Sequence, residues 1–157
     1  MIKIGDTIPA MTLSVMGDSR PEPVTTESLF VDKKVVMFAV PGAFTPGCSL
    51  THLPGFVVLA DEIKAKGVDS IICTSVNDAF VMGAWGKQQN AEHIIMLADG
   101  NGDFAEALGL GLDARGHQMG MRSKRYAMIV NNGIVELLNV DEKGIERSSA
   151  ETILTSL

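Results

Sequence analysis

The chain has 157 residues, 46% of them apolar and 20% charged, a composition that supports one buried core. Its formal net charge of -6 argues against nucleic acid or an anionic membrane as main partner, because both select a basic face. No apolar run approaches the about 18 residues of a spanning helix, and two cysteines without a CxxC pattern exclude a disulfide scaffold.

The first residues, MIKIGDTIPA, lack the charged-then-apolar pattern of a signal peptide, so the expectation is a cytoplasmic, thiol-reduced protein. No repeat, linker or low-complexity stretch interrupts residues 1–157, which read as one domain. The N-terminal segment alternates around the turn residues GDSRPEP and reads as a hairpin. VVMFAV (35–40) is a continuous apolar run of strand length, as in a strand buried on both faces. Residues 46–66 place Leu53, Phe56, Val57, Ala60 and Ile63 at helical spacing. VDSIICTSV (68–76) is a second buried strand, and NDAFVMGAWGKQ opens with capping residues and continues as a helix. HIIMLAD predicts a third strand and GDFAEALGL a short helix. RYAMIV and GIVELLNV flank NNG, a strong hairpin signal, and SSAETILTSL closes the chain as a capped helix. This order predicts an α/β fold, a thioredoxin-like central mixed sheet flanked by helices with an N-terminal hairpin extension.

The segment PGAFTPGCSLTHLPGF (41–56) carries the chemistry. Thr45 followed by Pro46 pairs a capping residue with the residue best suited to a first helical position, which places Cys48 in the first turn. Unpaired N–H groups and the positive end of the helix dipole converge there, a setting that favours an anion. The thiolate is the nucleophilic form, and a free cysteine of pKa about 8.5 is mostly protonated near neutrality. Gly42 and Gly47 are read as leaving room for a small molecule to approach the backbone. Pro54 removes a donor and frees the carbonyl of Leu50, so a kink is expected. The competing reading of Cys48 is an inert packing cysteine. His52, one helical turn on, has three readings: base of a Cys–His acyl-transfer pair, metal ligand, or a packing and orienting residue. Cys73, His93 and His117 show no ligand spacing, so no metal is expected.

The motif P-x-x-x-T-x-x-C formed by Pro41, Thr45 and Cys48 resembles the active-site signature of peroxiredoxins. The longer string, with SVNDAFVMGAW, LADGNGDFAEALGL, RSKRYAMIV and GIVELLNV, is similar to the type II, peroxiredoxin-5-like branch. The resemblance runs over about residues 3–140. It implies a cysteine peroxidase that reduces hydrogen peroxide and alkyl hydroperoxides with no cofactor, metal, haem or flavin. It also implies antioxidant defence, with a peroxide-sensing switch or holdase as the alternative use of the same cysteine. Position by position, Cys48 matches the peroxidatic cysteine and Thr45 the threonine that contacts it. Pro41 matches the shielding proline and Arg125, before Tyr126, the active-site arginine; Phe44, Gly47 and His52 are supporting positions. Read alone, Arg125 is one charge in a basic run with Arg122 and Lys124.

The sulfenic acid formed on Cys48 must be captured by a thiol before it oxidises further. Some relatives carry a resolving cysteine near the C-terminus, where this chain has Ser148 and Ser149. Cys73, at a spacing similar to plant-type members, is one candidate, although its apolar strand would have to unwind to bring the two sulfurs together. An external thiol reductant (glutathione, a glutaredoxin or thioredoxin) is the other. A homodimer near the active-site face, using Phe44, Phe80 and Trp85, is likewise implied by the resemblance.

Overall fold

The computed structural model describes residues 1–157 as a seven-stranded mixed sheet with helices on both faces. The N-terminal hairpin is β1 (Thr12–Met16) and β2 (Pro21–Thr25), antiparallel and in continuous register. It leads into a short helix, α1 (Thr26–Phe30), which sequence periodicity did not mark because five residues are too few to show a period. β3 (Lys34–Ala39) follows, then a wide helical turn over Cys48–His52 that continues as α2 (Leu53–Ala65). β4 (Ser70–Ser75), α3 (Ala79–Gln88), β5 (Ile94–Ala98) and α4 (Asp103–Leu108) complete the alternating part. A two-stranded ribbon of β6 (Gly111–Asp113) and β7 (Met121–Ser123) precedes the hairpin of β8 (Arg125–Asn131) and β9 (Ile134–Asp141), and α5 (Ala150–Thr155) ends the chain.

Strand order is β2-β1-β5-β4-β3-β8-β9, with β3 parallel to β4 and antiparallel to β8. The apolar run of β3 is explained by this central place. Successive side chains point to opposite faces, so Val36, Phe38 and Val40 enter one apolar cluster while Val35, Met37 and Ala39 enter the other. The first cluster packs under α2, α3 and α5 through Phe56, Ile63, Met82, Trp85 and Ile153; the second packs under α1 and α4 through Phe30, Phe104 and Leu108. Fully burying a side chain such as Phe56 or Ile63 stabilises by roughly 1.5–3 kcal/mol. The NNG turn forms as read: Asn132 and Gly133 both have positive φ, 49° and 77°, as a two-residue turn matched to strand twist requires. Asp78 and Ser149 cap α3 and α5, accepting from Val81 N and Thr152 N. No helix is long and apolar enough to cross a membrane.

Trp85 does not belong with exposed aromatics. It is fully buried, because α3 turns it inward against the sheet, and its indole N–H donates to Ser49 Oγ at 3.0 Å. Phe44 and Phe80 are exposed at 49% and 61%.

Candidate active site

At the C-terminal end of β3 the backbone passes Pro41 and Gly42 and turns sharply before helix begins at Pro46. Phe44 holds a left-handed conformation, φ 66°, with its ring near Trp85 at 6.4 Å between centroids. The Ala43 N–H donates to Asn77 Oδ1 at 3.0 Å, and Ser75 Oγ donates to the same oxygen at 2.7 Å, which ties the turn to the end of β4. Thr45 stands at the N-cap position before Pro46, as expected, but its side chain does not cap. Its hydroxyl donates to the Gly42 carbonyl at 2.6 Å, while its own carbonyl accepts from Ser49 N at 2.9 Å. Gly42 is not an opening for a ligand either. A Cβ there would lie 3.1 Å from Thr45 Cγ2 and 3.2 Å from Met119 Cε, so its smallness lets these two side chains close over the turn. Gly47 is exposed, and a Cβ on it would meet Arg125 and Ile145 only at 3.5 Å.

Over Cys48–His52 the helix widens to i→i+5 bonding, with Leu53 N donating to Cys48 O. Pro54 lies just beyond. In this register the donor it lacks belongs to the Ser49 carbonyl and not to Leu50, and Gln89 Nε2 fills the gap at 3.1 Å. The kink expected at Pro54 is therefore a one-residue widening, repaired from α3.

Cys48 is fully buried on the inner side of this turn. Arg125, first residue of β8, lies just beyond the Ala39–Tyr126 pair that ends the β3–β8 ladder, so the sheet delivers it to the start of the helix. Its NH2 donates to Cys48 Sγ at 3.2 Å, and its NH1 donates to His52 Nδ1 at 2.7 Å. This is a charge-assisted contact, a cationic donor held on the sulfur. His52 is buried against Phe38 and Phe56, and its Nε2–H donates to the Ser148 carbonyl at 2.8 Å. A carbonyl only accepts, so the proton sits on Nε2 and Nδ1 is left to accept from Arg125. Burial holds the imidazole neutral, with its pKa lowered to about 4; the Ser148 carbonyl opposes this and the Arg125 cation adds to it. His52 thus bonds to the arginine rather than the cysteine, and of its readings the orienting one matches this geometry. His93 and His117 are exposed and take no part.

Pro41 and Arg125 line a cleft of about 100 Å³ beside the cysteine turn, together with Lys124, Lys143, Asp141 and Glu142. Cys73 sits in β4 opposite Phe38 of β3, fully buried in the same apolar cluster as Cys48, and both thiols are free. Burial pushes its thiol up, and the neighbouring Cys48 adds to this. Sequence reasoning did not find Asp141 or the role of Ser148. Asp141 ends β9 and accepts from the backbone N–H groups of Glu146, Arg147 and Ser148 and from Ser148 Oγ, with distances of 2.7–3.1 Å. Burial opposes its charge, but these bonds together hold its carboxyl below the usual carboxylate range. Only an aspartate followed by a polar turn is visible in one dimension.

A buried cysteine in the first turns of a helix after a parallel strand is thus held by an arginine from an antiparallel neighbour, on a thioredoxin-like fold. The redoxin family profile matches residues 3–154. Peroxiredoxin-2D of Arabidopsis thaliana is 46% identical over 159 residues, covering 99% of this chain and 98% of that protein. The crystal structure of reduced Prx3 from Vibrio vulnificus in complex with hydrogen peroxide superposes with a TM-score of 0.96 at 57% identity, covering 99% of both chains. Peroxiredoxin 5 from Alvinella pompejana superposes at 0.86 with 36% identity, covering 99% of this chain and 97% of that one. The chain belongs to the redoxin family and, within it, to the type II peroxiredoxins. It is a thiol peroxidase.

Proposed function

We propose that Cys48 is the peroxidatic cysteine, with hydrogen peroxide and alkyl hydroperoxides as substrates and an external thiol as reductant. The observation that carries this reading is the 3.2 Å contact from the Arg125 guanidinium to Cys48 Sγ. The thiolate attacks one peroxide oxygen, the O–O bond breaks, and the departing oxygen takes the electron pair and a proton to leave as water or alcohol. Negative charge develops on that oxygen, so fixed donors beside it lower the barrier. Arg125 serves here because its several N–H groups lie in one plane and can hold the sulfur and an incoming oxygen together. Thr45 is the other polar group of the turn. Its hydroxyl hydrogen is engaged by Gly42, so its oxygen offers lone pairs to the proton of the incoming peroxide. Pro41, half-buried at the cleft, contributes no N–H and narrows access of water. Phe44, Gly47 and His52 support the turn and the arginine.

Cys48 leaves this step as a sulfenic acid. A reductant thiol attacks it, forming a mixed disulfide and releasing water, and a second thiol frees Cys48. We assign both thiols to an external donor, glutathione with a glutaredoxin or thioredoxin, because opening a helix's first turns costs less than opening a central strand. Pro46 and Gly47 beside Cys48 are exposed, whereas Cys73 is paired to strands on both sides. A homodimer formed through the face bearing Phe44 and Phe80 fits their exposure, and sedimentation of the wild type tests it. A reducing compartment, the cytoplasm, fits two free cysteines, and cell fractionation tests it. Cys48→Ser is expected to abolish peroxide consumption with a dithiol donor; retained turnover would sink the assignment of Cys48.

A further inference from the structure

We propose that Asp141 is a positioning residue for peroxide reduction, acting on Arg125 through Ser148 and His52. The proposal rests on the reading of Cys48 and Arg125 given above. Arg125 and Asp141 are directly opposed across β8 and β9. Opposite charges in that position ordinarily pair, yet the guanidinium turns away to His52 and Cys48 and makes no ion pair with the carboxylate. The carboxylate is 8% exposed and is saturated by other donors. Its Oδ2 accepts from Ser148 N at 2.8 Å, Ser148 Oγ at 2.7 Å and Glu146 N at 3.1 Å, and Oδ1 accepts from Arg147 N at 3.1 Å.

Three consecutive backbone N–H groups are thereby gathered on one anion. They belong to a segment, 142–149, that has no regular structure of its own and is exposed at Glu142, Lys143, Gly144, Glu146 and Arg147. Pinning the Ser148 N–H fixes the peptide that follows, and with it the direction of the Ser148 carbonyl. That carbonyl meets His52 Nε2 at 2.8 Å, which sets the imidazole tautomer and its ring orientation. His52 Nδ1 then accepts from Arg125 NH1 at 2.7 Å, and only with NH1 so anchored does NH2 stand 3.2 Å from Cys48 Sγ. Asp141 makes no hydrogen bond to the sulfur, although it shares with Pro41 and Arg125 the lining of the cleft beside the cysteine turn. Its effect passes along a line of four hydrogen-bonded contacts: carboxylate to Ser148, carbonyl to imidazole, imidazole to guanidinium, guanidinium to sulfur. Small displacements at a reacting centre cost large factors in rate, so the turn that aims one carbonyl has leverage on the chemistry.

The alternative is that Asp141 only stabilises the fold, or acts on Arg125 directly through its charge. A double-mutant cycle on the full chain separates these. The second-order rate constant for sulfenic acid formation with hydrogen peroxide is measured for wild type, Asp141→Asn, His52→Ala and the double variant, at a temperature where each is folded by circular dichroism. Asparagine places an N–H₂ group against donors, so the nest loosens. The expected result is a roughly tenfold fall for Asp141→Asn in the wild-type background and no more than about a twofold change in the His52→Ala background. Equal falls in both backgrounds would overturn the proposal in favour of direct charge or general stability, and no fall in the wild-type background would overturn it outright. Should Asp141→Asn not fold, Ser148→Ala removes only the shortest of the four bonds and is read in the same cycle, with a smaller fall that again vanishes without His52. Cys48→Ser runs beside these: peroxide consumption by that variant would remove the underlying reading, whatever the cycle shows.

Discussion

A histidine in an unfolded chain takes up a proton near pH 6.5, whereas His52 in the folded protein resists one until about pH 4. Between those values the unfolded state holds more protons, so acidification favours unfolding and stability is lost as pH falls. The loss is at most about 3 kcal/mol and is complete only below both values. At pH 5 it is about 2 kcal/mol. Urea midpoints measured at pH 7 and pH 5 are expected to show this loss in the wild type, with the slope flattened in His52→Leu whatever that variant's absolute stability. An unchanged slope would contradict a neutral, buried His52. Asp141 acts in a lower window. Its carboxyl is held below the usual range, so its contribution is present above the unfolded carboxylate value and disappears only as pH falls through its own. Function follows the same sign. Imidazolium has no lone pair for Arg125, so the peroxide rate should drop as pH approaches 4 even while the protein stays folded.

The element that shapes the site is the widened turn at Cys48–His52. The proline made a disturbance legible in the sequence, but its form was not. An i→i+5 turn needs a foreign donor for the Ser49 carbonyl, and that donor is Gln89, at the far end of α3. Trp85, one turn earlier in α3, fixes Ser49 Oγ as well. The sequence pointed to helix α3 and to a capped start, yet nothing in its spacing says which side chains reach the neighbouring helix. Pro54→Ala returns an N–H that lets the segment relax toward an ordinary helix and rotates Cys48 against Arg125. The expected outcome is a peroxide rate reduced by roughly threefold to tenfold, with melting temperature unchanged or higher. An unaltered rate would show that the width of the turn does not set the contact to Arg125. Thr45 teaches the same lesson: residue type announced a cap, whereas the tight turn at Gly42 captured its hydroxyl instead.

For the whole molecule the open chemical question is which thiol rescues Cys48, and the sheet frames it. Cys73 lies mid-strand between β3 and β5, its ladder complete on both sides, so joining it to Cys48 would require a central strand to part. After one equivalent of peroxide and no reductant, intact mass is expected to show a gain of oxygen on the wild type. A loss of two hydrogens would instead mark an internal disulfide. Turnover of Cys73→Ser with glutathione and glutaredoxin, at a temperature where the variant is folded, should stay within about twofold of wild type, because the external-thiol cycle makes no use of the Cys73 sulfur. What local sequence determined by itself was the order of elements, the doubly buried central strand, the NNG turn and the placing of Cys48 in a helical first turn. These follow from periodicity, turn chemistry and capping, which act over a few residues. What only the tertiary structure decided was the company Cys48 keeps. Arg125 reaches it because β8 pairs with β3, His52 faces the arginine because Ser148 holds its other nitrogen, and Asp141 holds Ser148 because β9 ends beside Arg125. Apart from the local Asp141–Ser148 turn, these contacts join residues far apart in the chain, and strand pairing, not local preference, brings them together.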